Sequence, residues 1–382
     1  MALPGGETAF AFAAGTTYLD HGGFGVTPTE VLRFSFRMRE SVEAAPRPFF
    51  DRECRPRWRE VAGRTAGRFS AAAADVALVD NVTDGVNAVL RAQSFKPGDE
   101  ILITSMTYGA VAHAADRIAA GQGARIIEAP IPFPSPSPER CIEAIRGTLT
   151  PRTRLAILDH VTSSTALVLP LAEMIEVCRE RGVAVLVDGA HAPGNVALDI
   201  PSLQADWYVG NLHKWYFAPR GCGFLWADPD RQEGLVPAVL SWDIDKPFPQ
   251  SFEWTGTRDP SAWLSAPTAF EFMDRFGEAE VRTHNHRLVM EGSRLLARAW
   301  DVRLETPESM AAAASLVPLP ELPGFFPTEE GRAKIQQMLW EINAIACACL
   351  LFEGCLYLRV TAQIYNDIAD YEKLARAVSS WV

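Results

Sequence analysis

The chain has 382 residues, 48% of them apolar and 22% charged, with a formal net charge of −11. That length buries a large core and leaves room for one big domain and a smaller one. The acidic balance argues against a nucleic-acid or anionic-membrane partner, because counterion release needs clustered Lys and Arg. The seven cysteines are an odd number and scattered, which does not read as a disulfide framework. The N-terminal stretch lacks a basic start and a long apolar core, and no apolar run reaches the roughly 18 residues that span a bilayer. The expectation is a cytoplasmic protein without a membrane partner.

In chain order, apolar runs without alternation predict buried strands at Val76–Val79, Glu100–Thr104, Ala124–Glu128, Leu155–Leu158 and Val183–Val187. Helical segments lie between them at Thr83–Ser94, Ala110–Ala120 and Leu171–Arg181, and Pro130–Pro138 reads as an extended connector. Strand–helix alternation means an α/β domain with a mostly parallel sheet, and ligands of such sheets sit beyond the carboxyl ends of the strands. A strand-like Asp206–Val209 follows. After Pro267 the pattern changes to helices over Thr268–Phe276, Val281–Trp300, Thr328–Ile342 and Ile368–Trp381, with strand-like Val302–Glu305, Ala344–Leu351 and Tyr357–Val360. This predicts a smaller α+β C-terminal domain.

The residues that carry chemistry follow the strands. Asp188 ends the apolar run Val185-Leu-Val-Asp188 and opens a loop of small residues that includes His191. Lys214 stands between His213 and Trp215 in a largely uncharged stretch. Most lysines lie on the surface, but a desolvated one has a depressed pKa and becomes a nucleophile toward carbonyls. An Asp and a Lys so placed fit pyridoxal 5'-phosphate (PLP): the lysine forms an imine with the aldehyde, and the carboxylate keeps the pyridine nitrogen protonated. Asn81-Val-Thr83-Asp84-Gly85 opens a helix, and the free N–H groups there suit a phosphate. His284 and His286 share no helix face, so they do not read as a metal site. A Gly-x-Gly-x-x-Gly run after the first strand is lacking.

At these positions the chain resembles the class V aminotransferase family of fold-type I PLP enzymes, nearest its isopenicillin N epimerase-like branch. The resemblance rests on six segments in family order: Tyr18-Leu-Asp-His21-Gly-Gly-Phe-Gly25, Asn81-Val-Thr-Asp-Gly-Val-Asn87, Asp188-Gly-Ala-His-Ala-Pro-Gly194, Gly210-Asn-Leu-His-Lys-Trp215, Trp254-Thr-Gly-Thr-Arg-Asp259 and Leu358-Arg-Val-Thr-Ala-Gln-Ile-Tyr-Asn366. It implies a mostly parallel seven-stranded sheet in a large PLP-binding domain (31–270), a small C-terminal domain (271–382) and an N-terminal segment (1–30) joining the latter. Lys214 and Asp188 would be the catalytic pair. Thr83, Asp84, Tyr108, Ser163, His191, Asn211 and His213 would help hold the cofactor, with Tyr108 over the ring. Thr257 would reach a phosphate in the other subunit of a homodimer. Arg359 would bind the substrate α-carboxylate as a bidentate fork, His21 is a candidate substrate contact, and His21 and Tyr108 are the candidate far-face acids.

The resemblance does not select the reaction. It implies work at the α-carbon of an amino-acid-type substrate, with epimerisation first and C–S β-elimination as the alternative. Transamination, cysteine desulfuration and a non-catalytic PLP-fold protein are weaker readings. Ser163 stands where cysteine desulfurases carry an Asn, Ala166 replaces a glycine often found there, and the desulfurase Gly-His-His-Cys pattern is missing, although Cys347, Cys349 and Cys355 lie in that region.

Overall fold

The computed structural model describes residues 2–381. A two-residue strand β1 (Thr17–Tyr18) precedes the main sheet. The sheet consists of β2 (Val76–Val79), β3 (Glu100–Thr104), β4 (Arg125–Ala129), β5 (Thr153–Asp159), β6 (Ala184–Gly189), β7 (Trp207–Asn211) and β8 (Gly223–Ala227). Their spatial order is β2-β8-β7-β6-β5-β3-β4. Every pairing is parallel except those of β8, which runs antiparallel to β2 on one side and β7 on the other. The expected seven-stranded, mostly parallel sheet is therefore present. β8 was not anticipated, because its glycine-rich approach reads as loop.

Helices cover both faces, which is why the central strands are apolar without alternation. They are α1 (Thr29–Ala44), α2 (Cys54–Arg68), α3 (Val82–Ala92), α4 (Gly109–Gln122), α5 (Pro138–Thr148) and α6 (Leu171–Arg179). Asn81 caps α3, its side-chain oxygen accepting the Asp84 N–H at 3.0 Å. That local bond fixes where the helix begins, and so where its free N–H groups point.

The C-terminal part contains α7 (Ala266–Phe276), α8 (Glu278–Trp300), α9 (Glu329–Asn343) and α10 (Ile368–Ser379). Its antiparallel sheet runs in the order β11-β12-β9, from β9 (Ala314–Pro318), β11 (Ala348–Phe352) and β12 (Cys355–Thr361). A separate β10 (Ile345–Ala346) pairs with β1 and ties the N-terminal segment to this part of the chain. The expected strand at Val302–Glu305 is irregular, and the strand forms at Ala314–Pro318 instead. The run Ala344–Leu351 is broken: Ala344 closes α9 with φ +53° before two short strands begin. A second apolar cluster draws on Leu19 and on residues from Leu288 to Val378, apart from the main core. The main core itself continues past residue 270 through Phe272, Met273 and Val281, and limited proteolysis is the test of the expected division there. No helix among the described residues is long and apolar enough to cross a membrane.

Candidate active site

The carboxyl ends of β5, β6 and β7, the start of α3 and the turn at 22–24 enclose a cavity of about 410 Å³. That is the size of a small-molecule site. It is lined by Thr83, Tyr108, Ser163, Asp188, His191, Asn211, His213, Lys214 and Arg359, nine of the twelve residues singled out from sequence. Two close approaches shape it. Gly25 has φ +68°, and a Cβ there would lie 1.8 Å from the His213 carbonyl oxygen, so only glycine lets this turn rest on the lysine segment. A Cβ on Gly189 would lie 2.3 Å from the Tyr208 ring.

Lys214 follows β7, and its Nζ lies 2.8 Å from His191 Nε2. Burial brings the amine pKa down to about 8; Asp188 opposes this and Arg359 adds to it. Burial also lowers the His191 pKa well below its ordinary value, with Lys214 and Arg359 adding to the effect. The imidazole is thus neutral. The Trp215 indole N–H donates to its Nδ1 at 3.4 Å, which assigns the ring proton to Nε2 and makes a neutral Lys214 amine its acceptor.

Asp188 is 3% exposed, and its Oδ1 accepts the Ala190 N–H at 2.9 Å. Burial raises its pKa, with the Ala190 N–H and Lys214 acting the other way. At the far side, Arg359 donates to the Ser163 carbonyl and to Asp20 Oδ1, the latter at 3.0 Å. Its Nε has no partner. At the start of α3 the Val82 N–H donates to Asn211 Oδ1 at 3.0 Å, so Asn211 locks the helix end to β7.

Two of the sequence-derived candidates are turned away from the cavity. His21 is fully buried and does not line the cavity: Nδ1 meets the Tyr365 hydroxyl at 3.0 Å and Nε2 meets the Lys214 carbonyl at 3.0 Å, so both nitrogens are used. It supports the lysine loop from behind. Asp84 also stays out of the cavity, its carboxylate turned back to the Asp80 N–H at 3.3 Å. Thr257, expected to serve the other subunit of a homodimer, is exposed and lies outside this chain's own cavity. Sequence reasoning missed Asp159 and Arg220, both of which line the cavity. Asp159 follows the apolar Leu155–Leu158, the same strand-end signal that selected Asp188. Arg220, whose guanidinium donates to the Gly25 carbonyl at 3.0 Å, sits in a glycine-rich turn and carries no such signal.

A family model described as aminotransferase class-V matches residues 59–321. The chain belongs to the class V aminotransferase family. Within it, the chain is 32% identical to a putative L-cysteine desulfhydrase 1 of Oryza sativa subsp. japonica, over 97% of this chain and 84% of that protein. It is 33% identical to the isopenicillin N epimerase of Amycolatopsis lactamdurans, over 95% and 94%. Among solved structures, the cystine C–S lyase C-DES in complex with its product cysteine persulfide superposes with a TM-score of 0.83 at 24% identity, over 96% of this chain and 98% of that one. That likeness confirms the fold. PLP is the cofactor of class V aminotransferases, and the donor set here fits it. The fit consists of a lysine amine brought down by burial, a buried carboxylate held by a backbone N–H, and a helix start facing the same space.

Proposed function

We propose that this class V enzyme uses PLP to remove the α-proton of an amino acid and then expels a sulfur substituent from Cβ. When bound, the cofactor supplies an aldehyde for amines and a ring that accepts electrons. Arg359 grips the substrate α-carboxylate, its unpartnered Nε and buried setting making charge-assisted bonds strong. Asp188 holds the proton of the ring nitrogen. The start of α3, with Thr83, meets the phosphate, where the helix dipole favours an anion. His191 contributes a neutral N–H that does not compete with Lys214 for charge. Lys214 Nζ takes the α-proton and can return it to the departing thiolate.

One observation carries the choice: among the described residues Lys214 is the single amine base facing the cavity, and His21 is turned away. Elimination needs one base, whereas epimerisation needs acids on both faces. The test is a substrate panel of L-cysteine, L-cystine and cysteine conjugates, with pyruvate, ammonia and the sulfur product measured. Turnover of none of them would overturn this reading. Epimerisation is the second reading, favoured by the near full-length match to the isopenicillin N epimerase. In it, the half-exposed Tyr108 at the cavity wall is the remaining far-face donor. It predicts deuterium at Cα from heavy water with loss of optical purity. Desulfuration finds no support, since no cysteine among the described residues lines the cavity. Cys347 and Cys349 are buried and their thiols are pushed up by that burial.

We also infer a homodimer with Thr257 serving the partner's site. Exposed Val239, Leu240 and Trp242, the last 88% exposed, support this reading. Sedimentation equilibrium tests it, and a monomer at assay concentration would overturn it.

A further inference from the structure

β5 and β6 are parallel neighbours, and Asp159 and Asp188 are register partners across them. Register partners put their side chains on the same face of a sheet, with the strands about 4.8 Å apart. Both residues are buried, at 2% and 3% exposure, and both line the cavity. Asp188 has a backbone donor, whereas Asp159 Oδ2 has no hydrogen-bond partner. Two carboxyl groups this close, with little water, do not both ionise.

We propose that Asp159 is a second acid of the cofactor floor: as a neutral carboxyl it shares one proton with Asp188 and aims the Asp188 carboxylate at the ring nitrogen. Asp159 is a positioning residue here, since it acts through Asp188. The surrounding groups agree with one proton for the pair. Lys214 faces Asp188 from the loop beyond β7, Tyr208 stands beside it on β7, and His191 lines the same cavity from the loop beyond β6. The end of β3 and the turn after it bring the hydroxyls of Thr104 and Thr107, which favour the ionised form of Asp159. Burial and the Asp188 charge outweigh them, so the Asp159 pKa is raised. The aiming role rests on the cofactor reading above, but the shared proton belongs to the protein alone.

The experiment therefore uses full-length protein free of cofactor, with Tm followed from about pH 5 to about pH 8. A carboxyl whose folded pKa is raised contributes stability present at low pH and lost as pH rises toward that folded pKa. Asp159→Asn cannot ionise but keeps a donor for Asp188. Its Tm should lie above wild type at the alkaline end, and the fall in Tm across the range should shrink by roughly half. Asp188→Asn should flatten the curve in the same way, and the double variant should add little, because one proton is lost only once. Additive effects, or curves that superimpose on wild type, would overturn the pair. Infrared spectra of unmodified protein give a measurement that needs no variant: a protonated carboxyl band at neutral pH is expected, and its absence refutes the proposal. In loaded protein, Asp159→Asn should keep PLP affinity within a few-fold of wild type, while Asp159→Leu should lose roughly tenfold or more. Equal losses in the two would overturn the aiming role. If Lys214→Ala instead retained the cofactor absorbance, the cofactor reading would fail and the proton pair would stand.

Discussion

Glu100 and the Asp159–Asp188 pair lie in one sheet and are equally cut off from water, at 0%, 2% and 3% exposure, but at opposite ends of the strands. Glu100 starts β3 and is surrounded: Arg125 and Arg152 each donate from Nε at 3.1 Å, and the hydroxyls of Thr150 and Thr153 donate as well. Burial pushes its pKa up, yet Thr150, Arg125 and Arg152 together bring it down to about 2. Asp159 and Asp188 end their strands with few donors, and burial raises both. A fully satisfied buried carboxylate clamps strands together. An under-satisfied pair at the carboxyl ends is poised to hold and exchange a proton, which is where a chemical site belongs.

The sharpest way to break this contrast is at the amine that faces the acidic pair. Lys214→Ala should cut turnover by about 10⁴-fold or more and abolish the visible absorbance of bound cofactor. In wild type, capture of PLP by cofactor-free protein needs the neutral amine, so stopped-flow rates should rise with pH and level above about 8. Asp188→Asn should lower kcat by about 10²–10³-fold with PLP still bound, as read by steady-state kinetics and equilibrium dialysis. At the other end of the sheet, Glu100→Gln should leave kcat unchanged and cost about 1 kcal/mol in urea unfolding, since the half-exposed Arg125 and Arg152 stay hydrated when the charge is lost. The pH signs also oppose. The stability from Glu100 is present above the ordinary Glu pKa and is lost as pH falls through about 2, whereas that from the Asp pair is lost as pH rises. Arg359→Ala should act mainly on KM, raising it about 10–100-fold.

The sheet was legible because strands covered on both faces must be apolar throughout, and Val76–Val79 and Glu100–Thr104 show that as plain runs. β8 was not legible: it is just as apolar, but enters from Pro219-Arg-Gly-Cys, and nothing local says that a strand will turn back between two others. In the C-terminal part, Val302–Glu305 has strand-like side chains but no partner, while Ala314–Pro318 follows an alanine run and becomes a strand through pairing with β12. Most of the site was legible because Lys214 and Asp188 announce themselves by type and place. His21 was misplaced because a segment fixes which residues approach the site but not which way a side chain turns; Tyr365, 344 residues away, decides that. Asp159 was overlooked beside Ser163, although the rule that chose Asp188 applies to it.

The reversed strand β8 has a consequence for synthesis. β2 touches the rest of the sheet through β8, which is made about 150 residues later in chain order. The Val82 N–H cannot reach Asn211 until then, and Arg359 emerges from the ribosome later still. A nascent chain thus has no finished anion pocket until well past its middle, and long-range closure of this kind is slow. Uptake of the vitamin-derived ligand then reports a completed polypeptide, which pulse-labelled ribosome-bound intermediates of increasing length can show directly.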